Sequence, residues 1–128
     1  MIQEHSFKVA GRSFAVCFTA RARYLFELRA GYPLHELKAF AGAASDVELA
    51  TLLFAGLEGH RVRSKARKAP WDVDEVLDDV IGDLSAPERL EIQRVCIDAV
   101  GAAFEGAAKA AAEAGVAASP EGKAQTTG

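Results

Sequence analysis

The sequence predicts a mainly α (α+β) domain: an N-terminal β-hairpin packed on a bundle of about four short helices, followed by a disordered C-terminal tail. Three observations lead there. One segment, "SFKVAGRSFAVCF", alternates with period two around a glycine, as a half-buried hairpin does. Three helix starts carry an N-cap residue with Glu three positions on, at Ser45/Glu48, Asp72/Glu75 and Ser85/Glu88. Finally, Val73, Val76, Leu77, Val80, Ile81 and Leu84 recur at i, i+3, i+4, i+7, i+8 and i+11, an amphipathic helix pattern.

In the hairpin, Phe7 and Val9 share parity before the Ala10-Gly11-Arg12 turn. Phe14, Val16 and Phe18 share it afterwards. An isolated hairpin is marginal in water, so this one needs a surface to pack on. Thr19 then caps a helix over "ARARYLFELRA". Ala22, Leu25, Phe26 and Arg29 lie at helical spacing, with Tyr24 and Leu28 widening the apolar face. Gly31 ends this helix and Pro33 blocks its continuation. Leu34, Leu37 and Phe40 suggest a short helix closing at Gly42.

The helix opened by Ser45 places Leu49, Leu52, Leu53 and Leu57 on one stripe. Gly56 and Gly59 are expected to weaken its last turn, with His60 at its end. After Ser85, with Pro87 in the first turn, Leu90, Ile92, Val95, Cys96, Ile97, Val100 and Phe104 are expected to face inward. Beyond Phe104 the chain becomes Ala-rich, and the helix is expected to run on towards Gly115. Ser119–Gly128 is expected to be disordered. Residues 1–104 thus read as one globular domain and 105–128 as its extension and tail.

The chain has 128 residues, enough for one small domain with a core. Half of its residues are hydrophobic and 26% are charged, a globular balance. A net charge of −3 argues against wholesale nucleic-acid binding. Cys17 and Cys96 lie far apart in apolar patterns and read as buried thiols of a reducing compartment, with a disulfide as the alternative. No apolar run reaches signal-peptide or membrane-helix length, so the expected location is cytoplasmic.

Reactive constellations are missing from the sequence. His5, His35 and His60 fall in three segments without HxH or HExxH spacing, and there is no CxxC. No glycine-rich phosphate loop, calcium loop or nucleophile elbow occurs. The expectation is a protein that is not an enzyme, with no catalytic residue, metal or cofactor.

The segment "RVRSKARKAPWDVDEVLDDVIGDL" separates charge sharply: five bases come first, then six acids. The acids are mostly the wet side of the amphipathic helix. The bases, Arg61, Arg63, Lys65, Arg67 and Lys68, read first as a solvated interhelical loop. A docking patch for protein, or less favourably for nucleic acid, is the alternative.

The order of segments resembles the tail assembly chaperone family of long-tailed phages, in the branch that includes the gene transfer agents. The resemblance rests on the hairpin, then on Thr19, Ala22, Phe26-Glu27, Gly31, Pro33-Leu34 and Glu36-Leu37. It continues through Leu49, Leu52-Leu53 and Ala55-Gly56-Leu57, then Asp72, Glu75-Val76 and Ile81-Asp83. It spans about residues 7–104. The basic run before Ala69 departs from it, because a shorter link would be expected there.

The resemblance implies a non-catalytic protein that binds the tape measure protein and keeps it soluble while the tail tube assembles. Contact with the tail tube protein, self-association or many copies per client, and absence from the mature particle would follow. No membrane or nucleic-acid partner is implied. Tyr24, Tyr32, Phe54 and Trp71 are the expected partner-binding residues, being apolar and off the main stripes. A small helical adaptor or regulatory protein remains the alternative, and a nucleic-acid binder using residues 61–68 comes after it.

Overall fold

A computed structural model describes residues 4–40, 42, 44–65, 67–82 and 84–113, and the side chains of all these except 39 and 106–113. Strands β1 (His5–Val9) and β2 (Arg12–Val16) pair antiparallel, with Phe7 opposite Phe14 and Val9 opposite Arg12. The connecting turn has two residues, Ala10 and Gly11. Both have positive φ, 51° and 78°, as a two-residue turn matching the strand twist requires. The Phe7 and Phe14 rings stack 5.5 Å apart on the buried face.

Helix α1 (Ala20–Ala30) starts where expected, with the Thr19 hydroxyl accepting from the Ala22 N–H. Its buried face is narrower than the sequence suggests. Ala22 and Phe26 are buried, but Tyr24 and Leu28 are 56% and 65% exposed. The next segment forms two 3₁₀ turns, Leu34–Glu36 and Lys38–Phe40, rather than one helix. Leu34 and Leu37 are buried there while Phe40 stays exposed.

Helix α2 (Asp46–Arg63) is the axis of the domain. Every residue from Glu48 to Gly59 is buried, so hairpin and helices surround it on all sides. The helix is unbroken at Gly56 and Gly59 and runs past His60 to Arg63. These glycines let β2 approach. A Cβ at Gly56 would stand 2.8 Å from Val16 Cβ, and one at Gly59 would collide with the Cys17 carbonyl oxygen. The Gly56 carbonyl accepts from the Cys17 N–H at 3.0 Å, joining sheet to helix.

Helix α3 (Val73–Glu75) is capped by Asp72, whose carboxylate accepts from the Asp74 N–H. It continues as a π-helical segment, Val76–Ile81. This changes the expected stripe. Val76, Val80 and Ile81 are buried and Val73 and Leu84 partly so, but Leu77 is 37% exposed. The wider π turn rotates successive side chains less than 100° apart, which carries Leu77 off the core face.

Helix α4 (Ala86–Glu113) opens with a complete reciprocal cap between Ser85 and Glu88. Its core face is Ile92, Val95, Cys96, Ala99, Val100 and Ala103. Leu90, expected inside, is 57% exposed, and Ile97 and Phe104 are half-buried. At 100° per residue, Leu90, Ile97 and Phe104 fall within about 40° of one another and form a second stripe beside the buried one. Gln93 ties the link before α2 to α4: it accepts from the Ala44 N–H and donates to the Gly42 carbonyl. The expected disordered segment, Ser119–Gly128, lies outside the described residues.

Candidate functional site

One polar cluster is built around Glu58, on α2 and almost fully buried. It accepts from the Arg61 guanidinium at 2.6 Å and from the Trp71 N–H at 2.8 Å. Burial alone would push its carboxyl up. The hydrogen bonds from Arg61 and Trp71 and the charges of Arg61 and Arg21 outweigh that and hold it below the ordinary value. Arg61 also donates to the Lys68 carbonyl, so the chain after α2 folds back along the helix. The Lys68 ammonium then sits 4.3 Å from the centre of the Trp71 ring, and Trp71 packs against Phe14.

These residues leave a groove of about 230 Å³ between the open edge of β2 and the last turns of α2. Ser13 and Ala15 form one wall, Leu57, His60, Arg61 and Ser64 the other, and Lys68 and Trp71 close one end. His60 additionally contacts Glu4 at 2.7 Å.

A second polar cluster lies at the start of α2. Ser45 caps the helix by accepting from the Glu48 N–H. Glu48 does not complete the box as expected, because its carboxylate is turned away to accept from the Tyr32 hydroxyl and the Lys38 N–H. Burial, then the hydrogen bond to Glu48 and its charge, push the Tyr32 hydroxyl up to about 12. The arrangement fixes the two 3₁₀ turns to the central helix and reads as structural.

The residues expected to bind a partner do not form one surface. Tyr24 is exposed on α1, beside Arg21. Tyr32 is half-buried, edge-on to Phe26 and bonded to Glu48. Phe54 is only 8% exposed, with Arg29 over its ring, and belongs to the core. Trp71 lines the groove beside β2, and Tyr32 lines a separate depression of about 330 Å³ with Arg29, Lys38, Val47 and Glu48. The basic run is not one loop either: Arg61 and Arg63 are still helical, and Arg63 donates to the Cys17 thiol. Lys65, with φ of 57°, turns the chain out of α2, and Arg67 and Lys68 follow in the connection.

What sequence reasoning missed is the outer stripe of α4. Phe40, Ile97, Gly101 and Ala102 border a shallow depression of about 400 Å³, rimmed by Asp98 and Glu105. Among the described residues, nothing outside the helix's own backbone stands within 4 Å of where a Gly101 Cβ would be. The seven-residue recurrence of Leu90, Ile97 and Phe104 was the available signal, but it merged with the core stripe beside it.

Cys17 and Cys96 are free and buried, and burial pushes the Cys96 thiol up to about 12. Among the described residues, no group of three or more His, Cys, Asp or Glu side chains is placed to hold a metal ion, and no helix is long and apolar enough to cross a membrane. Comparison with protein-family models, curated proteins and solved structures gives no match.

Proposed function

We propose that the protein is a tail assembly chaperone that holds a long helical client, the tape measure protein, soluble until a tail tube forms around it. The observation that carries this reading is the outer face of α4: Phe40 is exposed and lines the depression with Ile97 and Gly101, and Leu90 is exposed two turns earlier on the same helix. An amphipathic client helix buries its apolar stripe on such a face. The glycine and alanine there let a second helix approach closely, and Glu105 favours basic residues flanking the client's stripe, while Asp98 is paired with Arg94. Individual contacts of this size are weak, so many copies along one client supply the affinity. The order of segments, which resembles that chaperone family, supports the same reading.

Co-expression tests it. The client should be insoluble alone, and soluble in a complex containing several copies of this protein, measured by size-exclusion chromatography with light scattering. A client equally soluble without it, or no complex, would leave the adaptor reading in its place.

A further inference from the structure

We propose that the groove between β2 and the end of α2 is a docking site for an extended, acidic peptide segment, which adds to β2 as a third strand. It is separate from the α4 face, and the proposal does not depend on which client that face serves.

The edge comes first. In a hairpin with a two-residue turn, the residues flanking the turn form a hydrogen-bonded pair. Val9 and Arg12 are that pair, so Phe7/Phe14 and His5/Val16 also bond across the ladder. The backbone groups of Ser13 and Ala15 therefore point away from β1. Cys17, the next residue of that parity, confirms the direction, because its N–H reaches the Gly56 carbonyl on α2. Past that bond β2 and α2 diverge, and among the described residues no backbone group pairs with Ser13 or Ala15 on this edge. An unpaired edge of this kind accepts another strand.

Charge selects the occupant. Arg61 and Lys68 line the groove, and Arg12, Lys65 and Arg67 lie on β2 or on the connection after α2, in a chain whose net charge is −3. Two acids stand among them: Glu58, which is buried and holds Arg61, and Glu4, which is paired with His60 at 2.7 Å; Lys68 is left facing the ring of Trp71. Phe14 and Trp71 line the groove with Lys68 over the Trp71 ring, and Arg12 covers Phe14 from the turn end of β2. A strand alternating acidic and aliphatic side chains complements both. A nucleic acid matches the charge but offers no N–H and C=O ladder for Ser13 and Ala15.

Trp71 is the chain's single tryptophan and lines the groove, so its emission reports occupancy directly. The full-length protein is titrated with an acetylated Val-Glu-Val-Glu-Val amide, its Val-Lys counterpart, its fully N-methylated form and a single-stranded oligonucleotide. A saturable Trp71 shift with the Val-Glu peptide alone is expected. Lys68→Glu should weaken it about tenfold or more, by setting like charges together. Ala15→Pro should abolish it with the circular dichroism spectrum unchanged, since proline is tolerated on an edge whose N–H faces outward. No saturable shift, an equal shift with the N-methylated or Val-Lys peptide, or an equal shift with the oligonucleotide would each overturn the proposal. So would a dimer in sedimentation that Ala15→Pro dissolves, since the edge would then belong to a second copy. Client solubility is not read in this experiment, so its failure leaves the chaperone reading untouched, and the reverse holds too.

Discussion

The backbone of Cys17 rests directly on Gly59. A Cβ at position 59 would meet the Cys17 carbonyl oxygen well inside contact distance, with Ala22 Cβ at 2.8 Å on the same side. Backbone, not a flexible side chain, blocks the way. Helix propensity and packing therefore oppose each other here. Propensity alone favours Ala over Gly by about 1 kcal/mol. Overpacking against an immovable neighbour costs about 1–3 kcal/mol or more.

Gly59→Ala should thus lower stability by about 1–3 kcal/mol in urea unfolding, with the packing term dominant. Gly101→Ala is the counterpart. It lies on the open face of α4 with nothing outside the helix's own backbone within 4 Å among the described residues, so it should gain up to about 1 kcal/mol. Equal effects at the two sites would show that β2 does not press on α2.

Phe26 and Leu77 test where the core lies. Phe26 is fully buried, and Phe26→Ala should cost about 3–5 kcal/mol. Leu77 looks equally central in the sequence but is 37% exposed, so Leu77→Ala should cost less than about 1 kcal/mol. The two losses, measured by denaturant unfolding, should differ several-fold in energy.

Leu77 also shows where the sequence stops being legible. The hairpin, the starts of α1, α2, α3 and α4 and most of the core follow from parity, caps and period, because these are local rules. The π-helical segment at Val76–Ile81 is not local: it settles which side chains meet α2, and a period of 3.6 misassigns Leu77. Gly56 and Gly59 mislead for the same reason, since their role is fixed by β2, some forty residues earlier in the chain. Glu48 and Glu58 have surface spellings, yet both are buried, held by Tyr32 and Lys38 in one case and by Arg61 and Trp71 in the other. Of the expected partner residues, Tyr24 and Trp71 are accessible, while Phe54 went to the core because α2 is covered on every side.

Acid should act partly through Glu58. Its carboxyl lies below the ordinary value of 4.5 in the folded protein. A depressed carboxylate contributes stability that is present above the unfolded value and is lost as pH falls through the folded one. Stability should therefore decline below about pH 4.5, and Glu58→Gln should flatten that limb while lowering stability at pH 7. An acid limb unchanged by Glu58→Gln in pH-dependent urea midpoints would place the titration elsewhere.

Tyr32 acts at the opposite extreme. Its hydroxyl, pushed up to about 12, stays protonated in the fold after an unfolded tyrosine has ionised near 10. Its stabilising effect is full below 10 and is lost as pH rises through 12. Tyr32→Phe leaves the buried Glu48 carboxylate short of a donor and should cost about 1–3 kcal/mol at neutral pH. It should also remove part of the alkaline loss between 10 and 12. Thermal unfolding as a function of pH measures both.

The outer face of α4 gives the functional prediction its sharpest form. Leu90 is 57% exposed and Gly101 faces open space, so neither contributes to packing within the domain. Substitutions at such positions usually change stability by no more than about 0.5 kcal/mol. Arginine is a good helix former, so Gly101→Arg should be tolerated while its side chain fills the depression between Phe40 and Ala102. Leu90→Glu should place a charge on the apolar stripe. Both variants should fold with unchanged circular dichroism and thermal midpoints, yet lose the capacity to hold the client soluble on co-expression. Leu28→Glu, equally exposed but on α1, should keep it. If all three variants protect the client as well as the parent protein does, the client is held elsewhere and the α4 stripe has no part in it. If Leu28→Glu alone fails, the holding surface is the outer face of α1 with Tyr24.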